Sequence, residues 1–200
     1  GLVGLCAGAL GAREVTMTDQ VLFMAEYNLE ANFGGAAAGA AAAAATTPLL
    51  SELRRRFRLR PLRWGDAELL ASTMPPFDLI LGSDLMYHPE HHAVLAETIT
   101  MLSGPGTKVL WVAPAWPGEP EDEEADNKEG RGGSPGFLDQ LALRGFEARE
   151  ISRDPAVAPL LEEVARGEDP DFIRGPMRVL EMERIVPSKP GGLTTIALSS

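Results

Sequence analysis

The chain has 200 residues, 44% of them hydrophobic, and a formal net charge of −11. This length suits one domain with a proper core, and the acidic balance argues against a general nucleic-acid binder. No apolar run reaches the length that a membrane-spanning helix needs, and the single cysteine, Cys6, has no partner for a disulfide within the chain. We therefore expect a globular protein of a reducing compartment, the cytoplasm and also the nucleus, with Cys6 buried as a small apolar filler.

The N-terminal segment predicts a helix, a strand and a second helix. Residues 1–12 are small and apolar, and their glycines predict a helix packed closely on a sheet. Residues 14–18 predict a strand, and Asp19 is expected to open a helix that ends near Asn32. The apolar residues expected on or near one face of that helix are Val21, Leu22, Met24, Ala25 and Leu29. Asp19 follows the strand directly, where a carboxylate either caps the helix or holds a ligand.

The middle of the chain is compositionally biased. Residues 34–48 form a low-complexity insert whose positions 36–45 are nine alanines and one glycine. Residues 53–60 contain five arginines, which predict either a solvated basic face running into a strand or a nucleic-acid patch. A third strand is expected over Leu59 to Leu62, short or at the sheet edge because of Pro61. Trp64 comes just after it and can either wall a ligand pocket or plug the core.

The stretch from Phe77 to Glu90 carries the strongest signal. Its first seven residues, 77–83, read as a strand buried on both faces of a parallel sheet. Asp84 and Tyr87 then lie in the turn that leaves the carboxyl end of this strand, where open α/β sheets bind ligands. The alternative is that Asp84 only caps a turn and Tyr87 only packs.

A helix is expected over Pro89 to Ser103. Its predicted inner face consists of Val94, Leu95, Ile99 and Leu102. The three histidines, His88, His91 and His92, do not have the spacing of a zinc motif, so we expect exposed side chains at a helix start and no metal site.

The second half predicts further alternating elements. The expected strands are 108–113, 146–152 and 178–185, and the expected helices are 136–144 and 155–166. Residues 117–134 read as an acidic loop, and 187–200 as a tail or an extra strand. Helices and strands alternate along the chain, and the pattern ends in a pair of strands. This order predicts an α/β protein with a doubly wound, Rossmann-like and mostly parallel sheet that has an antiparallel C-terminal edge.

Five segments, taken in order, resemble one known family. These segments are Gly1-Leu-Val-Gly4, Val15–Asp19, Asn28-x-x-x-Asn32, Leu62–Asp66 and Phe77–Tyr87. Together they are similar to the seven-β-strand, class I S-adenosylmethionine-dependent protein-lysine methyltransferases, over residues 1–185. The resemblance implies a Rossmann-like domain over 1–186 that lacks the family's first strand. That strand and its loop hold the methionine moiety, so the resemblance implies that this chain alone binds the cofactor weakly or not at all.

The resemblance also implies roles for individual residues. Gly1, Asp19, Trp64 and Ser83 would bind S-adenosyl-L-methionine, with Asp19 on the ribose and Trp64 over the adenine. Asp84 and Tyr87 would be catalytic, Asp84 orienting the incoming amine and Tyr87 lining the lysine channel. The implied partner is a protein substrate such as a chaperone or a translation factor, with no nucleic acid and no membrane. A small-amine or histidine methyltransferase and an inactive adaptor of the same fold stay open.

Overall fold

The computed structural model describes residues 2–33, 48–74, 76–83, 85, 88–114, 136–167 and 177–185. The helices in these ranges are α1 (Leu2–Ala9), α2 (Phe23–Phe33), α3 (Pro48–Arg55), α4 (Glu68–Thr73), α5 (His92–Leu102), α6 (Phe137–Ala142) and α7 (Ala158–Gly167). The strands are β1 (Val15–Asp19), β2 (Phe57–Pro61), β3 (Phe77–Ser83), β4 (Ser103–Pro114), β5 (Phe146–Glu150) and β6 (Met177–Arg184). A short 3₁₀ turn, Pro89–His91, precedes α5.

The described strands form two sheets. β1 and β2 pair in parallel, and a second sheet has the order β3-β4-β6-β5. In that second sheet β3 and β4 are parallel, whereas β6 runs antiparallel to both β4 and β5. The predicted α/β architecture with an antiparallel C-terminal edge is therefore confirmed. Among the described residues the hydrogen bonding is interrupted between β1 and β3, where the resemblance places a strand that this chain lacks.

Helix α1 packs closely on the first sheet because two of its glycines face large side chains. A Cβ added at Gly8 would lie 2.2 Å from Phe57 Cζ, and one at Gly4 would lie 2.8 Å from Met17 Cγ. The predicted close approach of this helix is therefore confirmed. The prediction for Cys6 is wrong, because its side chain is exposed on the outer side of α1.

Helix α2 begins later than the sequence suggested. Asp19 is the last residue of β1, and the helix starts at Phe23, because Asp19 Oδ1 accepts the amide of Val21 at 3.2 Å and so forms a turn. The predicted face was also partly wrong. Ala25 and Leu29 are buried, but Val21 is 70% and Met24 58% exposed.

The main core lies between the second sheet and two helices. α5, α6, β4, β5 and β6 together contribute its buried side chains, which are Leu95, Ala96, Ile99, Val109, Trp111, Ala113, Phe137, Leu141, Phe146, Leu180 and Met182. Three of the four residues predicted for the inner face of α5 are buried and Val94 is half-buried. The 3.6-residue apolar repeat had placed this helix correctly.

Strand β3 has the predicted bounds but not the predicted burial. Leu79 is 49% exposed and Asp78 is also exposed, so the strand is not covered on both faces. Among the described strands β3 pairs with β4 alone, so it lies at the edge of its sheet and not in the middle of one.

Other strand and helix boundaries differ from the predicted ones by a few residues. β2 starts at Phe57 rather than Leu59, and α3 and α4 were not predicted. The short length of β2 and its position at the edge of its pair agree with the prediction from Pro61. The alanine tract, the acidic loop and residues 187–200 lie outside the described residues. Within the described part of the chain, no helix has the length and apolarity to cross a membrane.

Candidate functional site

Three of the six predicted site residues lie in described segments. These are Asp19, Trp64 and Ser83, whereas Gly1, Asp84 and Tyr87 lie outside the described residues. Asp19 ends β1 and Ser83 ends β3. Trp64 lies in the turn after β2. Each of the three thus stands at or just beyond the carboxyl end of a strand.

Asp19 combines an exposed carboxylate with an anchored main chain. Its carbonyl oxygen accepts the amide of Leu62 at 2.9 Å, which extends the parallel pairing of β1 and β2 beyond Pro61. Its Oδ1 accepts the amide of Val21, and Oδ2 makes no hydrogen bond to the described residues. A carboxylate held this way can accept hydrogen bonds from a diol.

The turn that carries Trp64 is fastened to helix α5. The Gly65 amide donates to Thr98 Oγ1 at 2.8 Å, and the same hydroxyl donates to the Val94 carbonyl at 2.8 Å. Gly65 has a φ of +92°, which favours glycine at this point of the turn. Trp64 is half-buried and packs against the main core, so the indole is neither a free surface side chain nor a fully enclosed plug.

The chain after β3 approaches the same core from the other side. Leu85 lies two residues beyond Ser83 and packs against the cluster that also receives Trp64. Leu62 donates its amide to the Asp19 carbonyl two residues before Trp64, and its side chain is buried in a separate cluster with Ala67, Leu70 and Leu102. The segments after β2 and β3 thus both reach the main core, and Asp19 is bonded to the start of the segment that carries Trp64.

The histidines lie beside Trp64. The ring centroids of Trp64 and His91 are 6.1 Å apart in an edge arrangement, and those of His88 and His91 are 5.5 Å apart. His88 and His91 are exposed, as predicted, but His92 is half-buried with its ring centroid 6.0 Å from that of Phe137. Across the described ranges, no three His, Cys, Asp or Glu side chains are grouped to hold a metal ion.

Glu90 carries the charge opposite these histidines. His88 Nδ1 lies 3.3 Å from Glu90 Oε1. A hydrogen bond from its own backbone amide holds the pKa of Glu90 below its ordinary value, and the positive charge of the nearby histidines acts in the same direction. The Glu90 carboxylate is therefore ionised at neutral pH.

A small cavity lies away from these residues. It is lined by Pro76, Phe77 and Asp78 at the start of β3 and by residues 104–107 at the start of β4. Because β3 and β4 are parallel, this is the amino end of both strands. It is therefore not part of the candidate site.

A comparison with known protein families matches residues 1–115 to the family described as lysine methyltransferase. This match spans more than half of the chain. The chain belongs to the lysine methyltransferase family. All six predicted site residues lie within the matched segment of this methyltransferase. The comparison with curated proteins finds no match.

Several solved structures are similar to this methyltransferase at low identity. An S-adenosylmethionine-dependent methyltransferase from Mesorhizobium loti is 18% identical with a TM-score of 0.46, over 90% of this chain and 84% of that one. The glycopeptide N-methyltransferase MtfA, solved with S-adenosyl-L-homocysteine, is 16% identical with a TM-score of 0.47, over 92% and 78%. The geranyl diphosphate C-methyltransferase from Streptomyces coelicolor A3(2) is 12% identical with a TM-score of 0.46, over 90% and 67%. The family assignment rests on the family match and not on these likenesses.

Sequence reasoning missed two residues that shape the Trp64 turn. Thr98 is only 3% exposed and provides the anchor, and His91 contacts the indole. Thr98 had a detectable signal, since it lies four residues from both Val94 and Leu102 and is a polar residue inside an apolar stripe. Nothing in the sequence around His91 distinguished it from its two neighbours.

Proposed function

We propose that this chain forms the catalytic domain of an S-adenosylmethionine-dependent methyltransferase that modifies lysine side chains of a protein. The observation that carries the proposal is the family match over residues 1–115, which includes every predicted cofactor and catalytic position. The coarser activity, methyl transfer, follows from family membership. The protein substrate and the lysine target are supported by the family description and by the resemblance of the Asp84-x-x-Tyr87 segment.

The described side chains provide groups that suit the cofactor. Asp19 offers a free carboxylate oxygen for the ribose hydroxyls, and Trp64 offers a partly exposed indole for the adenine face. Ser83 is small and exposed at the end of β3, which leaves room for a ligand beside it. The bound cofactor would supply a methyl group on a positively charged sulfur.

The remaining residues would prepare the substrate nitrogen. A lysine amine has an ordinary pKa of about 10.4 and is therefore protonated at neutral pH. It must lose that proton before its nitrogen can attack the methyl group that the cofactor would supply. An apolar channel lowers that pKa by disfavouring the charged form. In this proposal Tyr87 lines the channel, and Asp84 orients the amine along the line of attack, which accelerates transfer by alignment.

A methyl-transfer assay tests the proposal. The protein is incubated with cofactor tritiated on the methyl group and with a cell lysate, and label on protein is separated from label on small molecules by filtration. We expect label on protein, located on lysine by mass spectrometry. Label confined to small molecules or located on histidine would contradict the lysine target.

The variant Asp84→Ala in the full-length protein tests the proposed catalytic role of Asp84 in the same assay. We expect it to abolish transfer while cofactor binding, measured by calorimetry, persists. Retained turnover would remove Asp84 from the mechanism.

An inactive adaptor of the same fold is a second candidate. It is favoured by the interruption between β1 and β3, which leaves the described strands in two sheets. A full-length protein that binds no cofactor and labels nothing in the lysate would support it over the enzyme.

A further inference from the structure

The arginines of strand β2 lack the ion pairs that their neighbours make. Arg54 is 3.1 Å from Glu30, and Arg55 also pairs with a carboxylate, that of Glu52. In contrast, Arg58 and Arg60 make no ion pair with any residue in the described part of the chain. Arg56 and Arg63, on either side of this strand, likewise make no ion pair within the described ranges, so the segment as a whole carries positive charge that no described carboxylate neutralises.

Arg58 and Arg60 lie on one face of the β1–β2 pair. They alternate along β2 with the buried Phe57 and the half-buried Leu59, so their side chains leave the opposite face. Both are exposed, and their cross-strand neighbours on β1 are threonines, Thr16 and Thr18, rather than acids. The Cα atoms of the two arginines are about 6.7 Å apart along the strand, and neither side chain has an acidic partner among the described residues.

The outer edge of β2 is also open. The amide of Val15 donates to the Arg56 carbonyl, and the Leu62 amide donates to Asp19. In a parallel ladder with this register, β2 uses the backbone groups of its even-numbered residues to bond β1. The backbone groups of Phe57 and Leu59 consequently point away from β1, towards an edge on which no other described strand pairs.

The arginines themselves cover this edge weakly. Arg58 Nη1 donates to the Phe57 carbonyl at 3.2 Å, and Arg60 Nη1 donates to the Leu59 carbonyl at 3.4 Å. These contacts are long for hydrogen bonds of a charged donor. An incoming strand can replace both of them with backbone amides. The Arg60 guanidinium would then be released, whereas Arg58 would still donate to the Arg55 carbonyl at 2.6 Å, which holds its charge beside the start of β2.

We propose that β2 is a docking edge for an extended, acidic segment of a partner protein. The segment would add as a strand beside β2, bonding the outward backbone groups of Phe57 and Leu59. Acidic residues at every second position would then face Arg58 and Arg60 as cross-strand pairs, because the repeat of a strand is two residues. A peptide suits this edge better than a nucleic acid, because only a polypeptide backbone offers the alternating amide and carbonyl groups that match those of Phe57 and Leu59.

Binding to synthetic peptides tests this proposal without requiring cofactor or catalysis. The probe is a capped ten-residue peptide that alternates Thr and Glu, and its control has the same composition as a block of five Thr and a block of five Glu. We expect the alternating peptide to bind measurably by fluorescence anisotropy at low salt and to bind more tightly than the block peptide. Equal binding of both peptides would contradict the proposal that acidic residues at every second position face Arg58 and Arg60. Binding of a ten-nucleotide oligouridine, with no binding of either peptide, would indicate a nucleic-acid site instead.

A pair of double variants locates the binding edge. We expect Arg58→Gln with Arg60→Gln to weaken the alternating peptide about fivefold, the size of two exposed charge pairs. The control double variant, Arg153→Gln with Arg166→Gln, removes the same charge elsewhere and should change binding less than twofold. Substitution of Arg58 and Arg60 by Lys should restore part of the affinity. Equal losses of peptide affinity in the two Gln double variants would mean that only the net charge matters, and would overturn the proposed site.

Discussion

The Thr98 hydroxyl holds the Gly65 amide at 2.8 Å and thereby joins the turn after β2 to the middle of helix α5. Thr98 is 33 residues from Gly65 along the chain and almost fully buried, so this single side chain decides where Trp64 stands relative to the main core. The position of Trp64, the side chain proposed to cover the adenine, thus depends on a hydrogen bond from a polar residue on an otherwise apolar face of α5.

Thr98→Val should destabilise the protein and loosen the turn. Valine has the same shape but leaves the Gly65 amide without its partner, which costs about 1–3 kcal/mol when the group stays buried. Urea denaturation followed by far-ultraviolet circular dichroism measures the loss. Thr98→Ser keeps the hydroxyl and should lose less, so a serine variant as unstable as the valine variant would show that the methyl group, not the hydrogen bond, is responsible.

Gly82→Ala should be destabilising because there is no room for a methyl group. A Cβ at Gly82 would lie 2.1 Å from Trp111 Cζ3, and Trp111 is itself only 1% exposed. Overpacking of this kind typically costs about 1–3 kcal/mol. Thermal unfolding is the measurement, with Gly136→Ala as control, since a Cβ there meets nothing closer than 3.6 Å. Equal melting temperatures for Gly82→Ala and wild type would mean that the Trp111 ring moves aside freely.

Glu181 should stabilise the sheet in a pH-dependent way. It lies between Arg149, at 2.8 Å, and Lys108, at 3.3 Å, on neighbouring strands. The hydrogen bond from Arg149, followed by that from Lys108, holds the pKa of Glu181 below its ordinary value of 4.5. Because the folded pKa is the lower one, the stabilisation is complete above the unfolded pKa and disappears as pH falls through the folded pKa.

The corresponding measurement compares wild type with Glu181→Gln by urea denaturation across pH. We expect wild type to be the more stable by a few tenths of a kcal/mol at about pH 6, as for other exposed pairs. The difference should disappear as the pH falls from 4.5 through the lower pKa of the folded state. Glu183→Gln on the same strand is the control, because Glu183 makes no ion pair with the described residues. A difference that grows towards low pH would contradict the assignment.

Two substitutions at Asp19 should separate ligand binding from local structure. Asp19→Asn keeps an oxygen that can accept the Val21 amide but removes the charge, whereas Asp19→Ala removes both. Loss of a hydrogen bond to a charged group is worth about 1.5–3 kcal/mol, so both variants of the full-length protein should bind cofactor at least about tenfold more weakly. Calorimetric titration measures the affinity, and unfolding should show a stability loss for the alanine variant alone. Unchanged affinity in both variants would exclude Asp19 from the site.

The elements predicted best are those whose pattern reflects local packing. The bounds of β3 agree at both ends, and α5 has the predicted inner face, because apolar spacing reports which side of a helix meets the core. Helix α2 was placed less well. Its start depends on a turn closed by the Asp19 side chain, and its exposed residues Val21 and Met24 have the same apolar character as buried ones.

By itself the sequence determined the order of the strands and of every described helix except α3 and α4, the antiparallel end of the sheet and the motifs that resemble a methyltransferase, since these depend on residue types at short spacing. Only the tertiary structure decided that Thr98 anchors the Trp64 turn, that β3 is partly exposed and that Arg58 and Arg60 have no ion pair with the residues that the structure describes. The physical reason is that each of these features joins or separates segments far apart in the chain, and burial and pairing across such distances leave no periodic pattern in the residues themselves.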